Sequence, residues 1–348
     1  MDPEAAEAGC VTDREGGPPP DNRPVSLAMV AATAGVSIST VSRIVNGETR
    51  RASAETVQRV REAVEATGYR PNSIGRTLRS GESRLVAMLV ANLDNPAMAT
   101  IAASTEAALR TAGYIMILCD THDRAELQDE YLAAMRAQLV QGYILVVARP
   151  SPGLAEVVAR RTPMVFVGRR NPCGEGAFVG IDNFQAGSLV AEHLWNAGIR
   201  APGVLSPLEG SSATRERVEG FRARYASFGV DPGAIPEWRA PGLAHVEVGY
   251  RAAQAIGPRS AWPGGLLCVS DQVAYGAFRA AREAQLRMPQ DCRLVGIDGS
   301  SLNPWLAPWL ESVRVPYERF GPVILAQLQR SWAGEEPAEQ LLPHGPVA

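Results

Sequence analysis

AGVSISTVSRIVNG, residues 34–47, is the stretch of this chain that decides its N-terminal fold. Four apolar residues just before and within it follow the i, i+3, i+4, i+7 spacing of one helix face: Leu27, Val30, Ala31 and Ala34. Gly35 is expected to end that helix, because glycine readily adopts the left-handed conformation at a helix C-terminus. Ser37 is a good N-cap for a second helix. The pattern predicts two short helices joined by a tight turn.

The second helix has an apolar side and a polar side. Val41, Ile44 and Val45 are expected to be buried. The polar residues are expected outside or on the flanks of the helix: Ser39, Thr40, Ser42 and Arg43. A third helix is predicted from about Ser53 to Gly68, and the three together form a helix-turn-helix unit.

In DNA-binding proteins of this architecture, the second helix enters the major groove. Small hydroxyl residues allow close approach to phosphates and bases, and arginine pairs bidentately with guanine. The alternative is an exposed helix in a small bundle, which accounts for the buried positions but not for the polar side. The pattern therefore favours a nucleic-acid interface.

Charge is distributed unevenly along the 348 residues, whose net charge is −3. In residues 25–80, eight arginines against four glutamates give +4, which suggests a polyanionic partner for this block or, alternatively, a solvated charged face. In residues 1–24, six acids against two arginines give −4. This Pro/Gly-rich segment lacks the features of a signal peptide and is predicted to be a disordered tail.

From Arg84 onward, strand-like apolar runs such as LVAMLVA, GYILVVA and GGLLCVS alternate with amphipathic helical stretches. This alternation predicts an α/β fold with parallel sheets. About 260 residues exceed what one sheet usually takes, so two lobes are expected, with a ligand cleft at the carboxyl ends of the strands. The polar segment before it, residues 71–82, is expected to become a helix only with a partner.

Other features argue against several classes of protein. The chain has no apolar run of about 18 residues that would span a membrane. Its five cysteines are widely spaced, which favours reduced thiols in a cytoplasm. We find no metal-ligand spacing among its histidines, no phosphate-binding loop and no nucleophile elbow, so neither enzymatic activity nor a cofactor is expected. A transport receptor would suit two lobes, but not the basic N-terminal block.

The ordered motifs resemble those of the LacI–GalR family of bacterial transcriptional regulators. They include VSLAMVAATAGVSISTVSRIVNG, RERVEGF, CVSDQVAYGAFRAA and LVGIDGS, and the likeness extends over about residues 25–330. The resemblance implies an N-terminal all-α helix-turn-helix domain (25–70), a hinge helix (71–82) and an α/β two-lobed periplasmic-binding-protein-like domain with parallel sheets (83–340).

The resemblance also implies the partners. Members bind pseudo-palindromic operators in double-stranded DNA as homodimers, and a small-molecule effector, here a sugar or related metabolite, controls operator affinity from between the lobes. The expected protein is thus a cytoplasmic, nucleoid-associated repressor without membrane attachment. Its C-terminus has no heptad repeat, so a dimer is expected and not a coiled-coil tetramer.

The DNA-binding residues are carried over from the resemblance. Ser26 and Ser37 match hydroxyl positions near phosphates, and Ile38 and Ser39 match the two main specificity positions. The remaining matches are Thr40, Ser42, Arg43 and Asn46 on the helix, and Asn72 and Leu78 at the hinge. Leu78 matches a leucine that wedges into the central minor-groove step. Gly75 replaces a common alanine, so this hinge is expected to order less readily.

The effector-binding residues are carried over in the same way. Arg217 matches an arginine that holds effector hydroxyls or carboxylates, although a surface ion pair is the alternative. Asp271 matches an aspartate at the lobe interface, and it is also a candidate N-cap. Three residues with less specific signals complete the set: Asn95, Asp182 and Trp238. The alternative for Asp182 is a helix cap, and the alternative for Trp238 is a packing role.

Two further observations concern the effector. After Asn95, this chain has Ala97 and Met98 where the family often has two aromatic residues, which argues against a pyranose sugar. Arg149 ends the apolar run GYILVVA, and if it faces the cleft it favours an acidic effector.

Overall fold

The structure is a computed structural model that describes residues 25–69 and 83–347. The chain divides into two compact units, Met1–Gly81 and Glu82–Ala348. The tail predicted for residues 1–24 lies outside the described residues. So does the hinge predicted for residues 71–82, with Asn72 and Leu78.

Within residues 25–69, the first unit contains three helices, α1 (Leu27–Ala34), α2 (Ile38–Val45) and α3 (Ala54–Thr67). Each begins at a serine whose hydroxyl accepts a hydrogen bond from a backbone N–H in the first turn: Ser26, Ser37 and Ser53. Gly35 and Gly68, with φ of 63° and 65°, end α1 and α3 in the left-handed conformation. The predicted helix boundaries and caps are therefore confirmed.

The core of this unit is small and apolar. Val30, Val41 and Val60 are fully buried, one from each helix, and Tyr69 packs on the same cluster after α3 ends. Because helical spacing brings these valines to one centre, the remaining side of α2 faces away from it.

The second unit consists of two parallel α/β lobes. Lobe 1 is built first, from β1 (Leu85–Val90), α4 (Pro96–Thr111), β2 (Ile115–Asp120), α5 (Ala125–Ala137), β3 (Gly142–Val146), α6 (Pro152–Ala159), β4 (Met164–Val167) and β5 (Ala177–Gly180). Lobe 2 follows with α7 (Asn183–Asn196), β6 (Gly203–Pro207), α8 (Ser212–Ser227), β7 (Glu237–Ala240), α9 (His245–Gln254), β8 (Gly265–Cys268), α10 (Asp271–Glu283), β9 (Arg293–Asp298), α11 (Asn303–Leu306) and β10 (Glu311–Arg314). The chain then returns to lobe 1 with α12 (Phe320–Trp332) and β11 (Glu339–Leu341).

The strand orders are β11-β5-β4-β3-β1-β2 in lobe 1 and β10-β9-β8-β6-β7 in lobe 2. All the paired strands in these sheets are parallel; Met88, for example, pairs with Leu118 on one side and Ile144 on the other. The apolar run of β1 is buried on both faces: Met88 packs in the cluster that includes α4, and Leu89 in the cluster that includes α5. Such double burial explains why the central strands are continuous apolar runs.

The chain passes between the lobes after β5, after β10 and near its C-terminus, where Val347 forms a bridge to Val313. Since the strands of each sheet are parallel, the loops at their carboxyl ends meet at one edge. These loops form the cleft between the lobes. The predicted fold class, a helical N-terminal domain followed by two parallel α/β sheets, is confirmed.

Glycines set the closest helix contacts in lobe 2. The α-carbon of Gly187 in α7 lies against the backbone of Arg217 in α8, and Gly220 in α8 lies against the backbone of Phe184. A β-carbon at either position would collide with a carbonyl oxygen, so these glycines hold α8, and with it Arg217, close to α7.

Among the described residues, no helix is by itself long and apolar enough to cross a membrane. The pair α1 and α2, bent by 104°, passes the same test only when the two are taken together.

Candidate functional site

The side of α2 that faces away from the core carries an isoleucine, hydroxyl groups and one guanidinium. Ile38 is 52% exposed, and Ser39 and Arg43 are also exposed. Arg43 Nε donates to the carbonyl oxygen of Ser39 at 3.3 Å, and its terminal nitrogens have no hydrogen bond or ion pair within the described part of the chain. The outer edge of this guanidinium is therefore available for the paired hydrogen bonds that arginine makes with guanine.

Hydroxyl groups cluster at the N-terminus of α2. Ser37 Oγ accepts from the Thr40 N–H at 3.2 Å and lies 2.8 Å from both Ser39 Oγ and Thr40 Oγ1. Ser26 caps α1 in the same way and is also exposed. Helix N-termini carry free N–H groups and partial positive charge, so both ends suit phosphate groups.

Two predicted members of this face differ in exposure. Asn46, exposed at the C-cap of α2, donates to the carbonyl oxygen of Ser42 at 2.7 Å. Ser42 itself is only 8% exposed, whereas the sequence pattern predicted it outside or on the flank. It follows Val41 directly and precedes Val45 by three residues, so the helix turns it toward the packed side.

The cleft between the lobes has an outer chamber of about 230 Å³ and an inner chamber of about 120 Å³. The two chambers share six residues, three of them charged or titratable: Asp123, Arg169 and His245. Lobe 1 contributes the segments after β1, β2, β3 and β4, and lobe 2 contributes those after β6, β7, β8 and β9. The cleft thus lies at the carboxyl ends of both sheets, as predicted.

Arg217 lies in the inner chamber and is fixed by the protein. Its Nε donates to Asn183 Oδ1 at 2.9 Å, and its Nη1 donates to the carbonyl oxygen of Val269 at 2.6 Å. The surface ion pair considered as an alternative is not formed; Glu216, next to it, pairs instead with Arg170. These bonds use Nε and Nη1 of the guanidinium, and the residue lines the inner chamber.

Two more arginines come from lobe 1. Arg149 Nη1 donates to Asp123 Oδ2 at 3.2 Å, and its Nη2 lies 3.7 Å from Glu209 Oε2. Arg169 follows β4, and its Nη1 lies 3.8 Å from Asp123 Oδ1, which is beyond hydrogen-bond distance. Burial lowers the pKa of the Arg169 guanidinium, and the charges of Arg149 and Arg217 lower it further.

His245 opens α9 and faces the same charges. Its Nδ1 lies 3.1 Å from Ser270 Oγ. Burial, followed by the charges of Arg169 and Arg217, lowers the pKa of the imidazole to about 4. The ring is neutral at pH 7, so it serves as a hydrogen-bonding group and adds no charge to the cleft.

Asp271 and Asp298 form a buried carboxylate pair at the base of the cleft. Asp271 accepts hydrogen bonds from the Ser300 N–H at 3.0 Å, Asn303 Nδ2 at 2.8 Å and Ser312 Oγ at 2.5 Å. Ser270, and not Asp271, is the N-cap of α10. The predicted capping role of Asp271 is therefore wrong, and its carboxylate is already bonded by three protein donors.

Asp298, at the end of β9, lines the inner chamber, and Tyr317 Oη donates to its Oδ1 at 2.6 Å. Burial and the charge of Asp271 raise the pKa of this carboxyl to about 7, against the opposing effect of Arg217. Beside the pair, a cavity of about 620 Å³ extends between the start of α4 and the segment around α11.

The other predicted effector residues divide into those at the cleft and those away from it. Asn95 caps α4 through its Oδ1, which accepts from the Ala97 N–H at 3.0 Å, and it lines the inner chamber together with Ala97 and Met98. Asp182 is exposed and caps α7, which confirms the alternative interpretation of that residue. Neither it nor Trp238 lines the described chambers.

Trp238 lies on the edge strand β7, and its indole packs over the α-carbon of Gly203 at the start of β6. The amino ends of the strands point away from the cleft, so the ring packs on the core of lobe 2 and forms no wall for a ligand.

Sequence reasoning missed Asp123, Arg169, His245 and Asp298. Arg169 and Asp298 directly follow or end apolar strand runs, PMVFVG and RLVGID, so the strand-end rule was a usable signal for both. Asp123 lies two residues before α5, and His245 is the first residue of α9; the sequence around each carries no comparable signal.

The side chains around the cleft are suited to binding by hydrogen bonds and charge. In the parts of the chain that the structure describes, no group of three or more His, Cys, Asp or Glu residues is placed to hold a metal ion. An exposed hydroxyl-and-arginine helix on a helix-turn-helix unit, in one chain with a two-lobed ligand cleft, defines the class: DNA-binding transcriptional regulators with an effector-binding domain.

Comparison with known proteins gives the family. Residues 26–72 match the model for bacterial regulatory proteins of the lacI family, and residues 191–347 match a periplasmic-binding-protein-like domain. The chain is 30% identical over 321 residues to the HTH-type transcriptional regulator PtxS of Pseudomonas putida, a match covering 90% of this chain and 91% of the relative. It is 29% identical over 302 residues to the HTH-type transcriptional repressor PurR of Pectobacterium carotovorum, covering 86% and 88%.

Among solved structures, a lac repressor dimer bound to operator and the anti-inducer ONPF is similar, with a TM-score of 0.81, 25% identity and coverage of 94% of this chain and 98% of that chain. The chain belongs to the LacI family of transcriptional regulators. Its relatives are regulators and not enzymes.

Proposed function

We propose that this protein is a repressor that binds a pseudo-palindromic DNA operator as a homodimer, and that a small polar metabolite in the cleft, such as a sugar derivative, alters its operator affinity. The single observation that carries the proposal is the exposed face of α2, where the terminal nitrogens of Arg43 have no partner among the described residues and lie beside Ile38 and Ser39. Such a face reads base edges when the helix enters the major groove.

The proposed DNA contacts are Ser26 and Ser37 on phosphates, and Ile38, Ser39, Thr40, Arg43 and Asn46 on the groove side. Asn72 and Leu78 remain proposed contacts of the hinge. Ser42 is left out of the base-reading set because its side chain is packed against the helical core. Since the target is genomic DNA, we propose the cytoplasm and its nucleoid as the site of action.

Dimerisation is supported by exposed apolar side chains on the second unit. Trp305 and Leu306 in α11 are 82% and 74% exposed, and Ile115 on the edge strand β2 is 63% exposed. Large exposed apolar groups of this kind mark contact surfaces. A symmetric pair would present two helix-turn-helix units, which matches a pseudo-palindromic site.

The proposed effector contacts are Asn95, Arg217 and Asp298, which line the inner chamber from both lobes. The carboxylate of Asp271 positions the base of the cleft through Ser300, Asn303 and Ser312. A metabolite that binds both lobes favours one degree of closure, and operator affinity changes only as far as its affinities for the two states differ.

The test is selection of genomic fragments with purified protein at several salt concentrations, followed by footprinting of the enriched fragments. We expect a pseudo-palindromic protected site. Arg43→Ala should weaken binding to that site about 10- to 100-fold, because a bidentate base contact is lost. Arg110→Ala, which removes an equally exposed arginine from the second unit, is the matched control and should bind like the wild type. Weak binding without site preference, lost as salt rises, would contradict the proposal.

A further inference from the structure

We propose that the effector of this protein is an anion, a small hydroxylated carboxylate or phosphate ester, and that the guanidinium of Arg169 is its main anion-binding group. This inference rests on the proposed function, because it names the chemical class of the ligand for the same cleft. It is carried by the hydrogen-bond state of three arginines, by the helix ends around them and by one unpaired carboxylate oxygen.

Arg169 differs from the other two arginines of the cleft. Arg217 and Arg149 each donate hydrogen bonds to the protein. For Arg169, no hydrogen bond is formed with any described residue, and its one ionic neighbour, Asp123, is 3.8 Å away. Its side chain is nevertheless only 22% exposed, and the residue lines both chambers. Its five N–H donors are therefore open to the cleft without a protein acceptor, and a ligand anion can accept hydrogen bonds from them.

The electrostatic surroundings favour a negative ligand. Arg149, Arg169 and Arg217 line the two chambers, and Asp123 is the acid that both chambers share. Asp271 lines neither chamber, and its carboxylate is already bonded by three protein donors. Glu209 stands at the rim with 85% of its side chain exposed, so water screens its charge. Asp298, deeper in the cleft, has a pKa of about 7 and is only partly ionised near neutral pH. Burial, followed by the charges of Arg169 and Arg217, lowers the pKa of His245 to about 4, so the imidazole is neutral at pH 7.

Helix ends add to this potential. Four helices of lengths from 10 to 16 residues begin at the cleft, and their first or capping residues line it: Asn95 of α4, Ser211 of α8, His245 of α9 and Ser270 of α10. The N-terminus of a helix carries about half a positive charge. The topology therefore directs four partial positive charges toward the ligand space, in the same sense as the arginines.

Asp123 supplies the complementary hydroxyl partner. Its Oδ1 is buried and accepts no hydrogen bond from the described residues, while its Oδ2 is bonded to Arg149. His122 and Asp123 both adopt left-handed backbone conformations, with φ of 48° and 51°. This conformation is held by hydrogen bonds from the His122 N–H to Asp120 and from Arg149 to Asp123, and it places the Asp123 carboxylate in the cleft. A ligand hydroxyl next to its anionic group would satisfy Oδ1 while the anion binds Arg169.

The size of the cleft fits a small ligand. Chambers of about 230 and 120 Å³ admit a molecule of monosaccharide size. Ala97 and Met98 offer no aromatic face on which a neutral sugar ring would stack, so this side of the inner chamber gives a neutral sugar no advantage over an anion.

The experiment uses the full-length protein and isothermal titration calorimetry with four probes: inorganic phosphate, D-gluconate, D-glucose 6-phosphate and D-glucose, all at one ionic strength set with chloride. We expect inorganic phosphate to bind at millimolar concentration. At least one of the two hydroxylated anions should bind tenfold or more tightly than glucose, since hydrogen bonds between charged groups are the stronger ones. The gluconate and glucose 6-phosphate arms distinguish a carboxylate from a phosphate.

Three variants make the assignment specific. Arg169→Gln should weaken anion binding about tenfold or more. Asp123→Asn should tighten binding of inorganic phosphate, because it removes the competing negative charge and keeps an amide oxygen as acceptor. Opposite shifts from neighbouring residues cannot come from general unfolding. Arg110→Gln removes one positive charge from a residue that does not line the cleft and should leave the titrations unchanged. Arg43→Ala tests whether phosphate binds at the helix-turn-helix unit, and it should leave them unchanged as well.

The proposal is overturned if phosphate binds no better than chloride, if glucose binds as tightly as the anions, or if Arg169→Gln retains wild-type anion binding. Each of these results leaves the operator footprint untouched, so it contradicts the ligand class and not the regulator. Anion binding by a protein that gives no operator footprint would support the ligand class and contradict the proposed regulator.

Discussion

The helix-turn-helix unit and the cleft of the second unit use similar side chains, arginine among them, but differ in how far these side chains are exposed and how they are held. On α2, the functional groups are exposed, and Arg43 is held only by a 3.3 Å bond within its own helix. In the cleft, the functional groups are sheltered, and Arg217 is bonded to a side chain and a carbonyl oxygen from two other segments. The first surface is suited to a large polyanion, and the second encloses a small molecule.

The two regions also differ in the interactions that stabilise them. The helical unit depends on local interactions, since serine caps begin its three described helices and glycines end α1 and α3. The cleft depends on contacts between segments far apart in the chain, such as that between Gly187 and Arg217. A substitution that acts locally should therefore change one unit and leave the other as it is.

Gly187→Ala should give the largest effect. Its β-carbon would collide with the backbone of Arg217, so α7 and α8 must separate and the second unit should lose about 3 kcal/mol of unfolding free energy. All six tryptophans lie in this unit, so urea unfolding followed by tryptophan fluorescence reports on it alone. Gly233→Ala, where a β-carbon meets only ordinary contacts, is the control. An unchanged midpoint for Gly187→Ala would mean that this contact does not fix α8.

The buried carboxyl of Asp298 should make the second unit less stable as pH rises. Its pKa is about 7 in the folded protein and lies near 4 when unfolded, so between these values the unfolded chain loses the proton first. The contribution of this carboxyl to the free energy of unfolding is highest below pH 4 and declines until about pH 7. Asp298→Asn cannot ionise, so its stability relative to the wild type should increase by about 2 kcal/mol between about pH 5 and pH 7.

The measurement is the same tryptophan-monitored urea unfolding at both pH values. Asp182→Asn is the control, because it replaces an exposed N-cap with a residue that caps equally well. A constant difference between Asp298→Asn and the wild type at all pH values would show that the carboxyl keeps an ordinary pKa.

Ser53→Ala should give the smallest of the three effects and should be confined to the helical unit. It removes the hydroxyl that accepts from the Thr56 N–H at 3.2 Å, at a cost of about 1 kcal/mol. Amide hydrogen exchange should become faster in α3, with the tryptophan-monitored transition unchanged. Ser53→Asp restores a capping oxygen and should recover the protection. A loss of stability in both units would argue against their independence.

The same contrast decides how much could be predicted from the sequence. Ser37, Gly35 and Gly68 were identified correctly because capping depends on residues three or four positions away. The alternation of strands and helices likewise predicted two parallel sheets, and RERVEGF located Arg217. These features are encoded in short segments.

The remaining features of the cleft arise from distant contacts. The carboxylate of Asp271 is bonded by residues 29 to 41 positions later, which no local pattern reveals. Trp238 packs over Gly203 because β7 pairs with β6 at the sheet edge. The position of Arg169 in the cleft, near Asp123 and lining both chambers, follows only from the folded structure.

The most direct test of this division is operator affinity, measured by fluorescence anisotropy on the footprinted fragment without added metabolite, for the wild type, Arg43→Ala and Arg169→Gln. We expect Arg43→Ala to lose about 10- to 100-fold in affinity, and Arg169→Gln to bind the fragment like the wild type. An equal loss in both variants would contradict the central claim, because it would show that α2 and the cleft do not have separate roles.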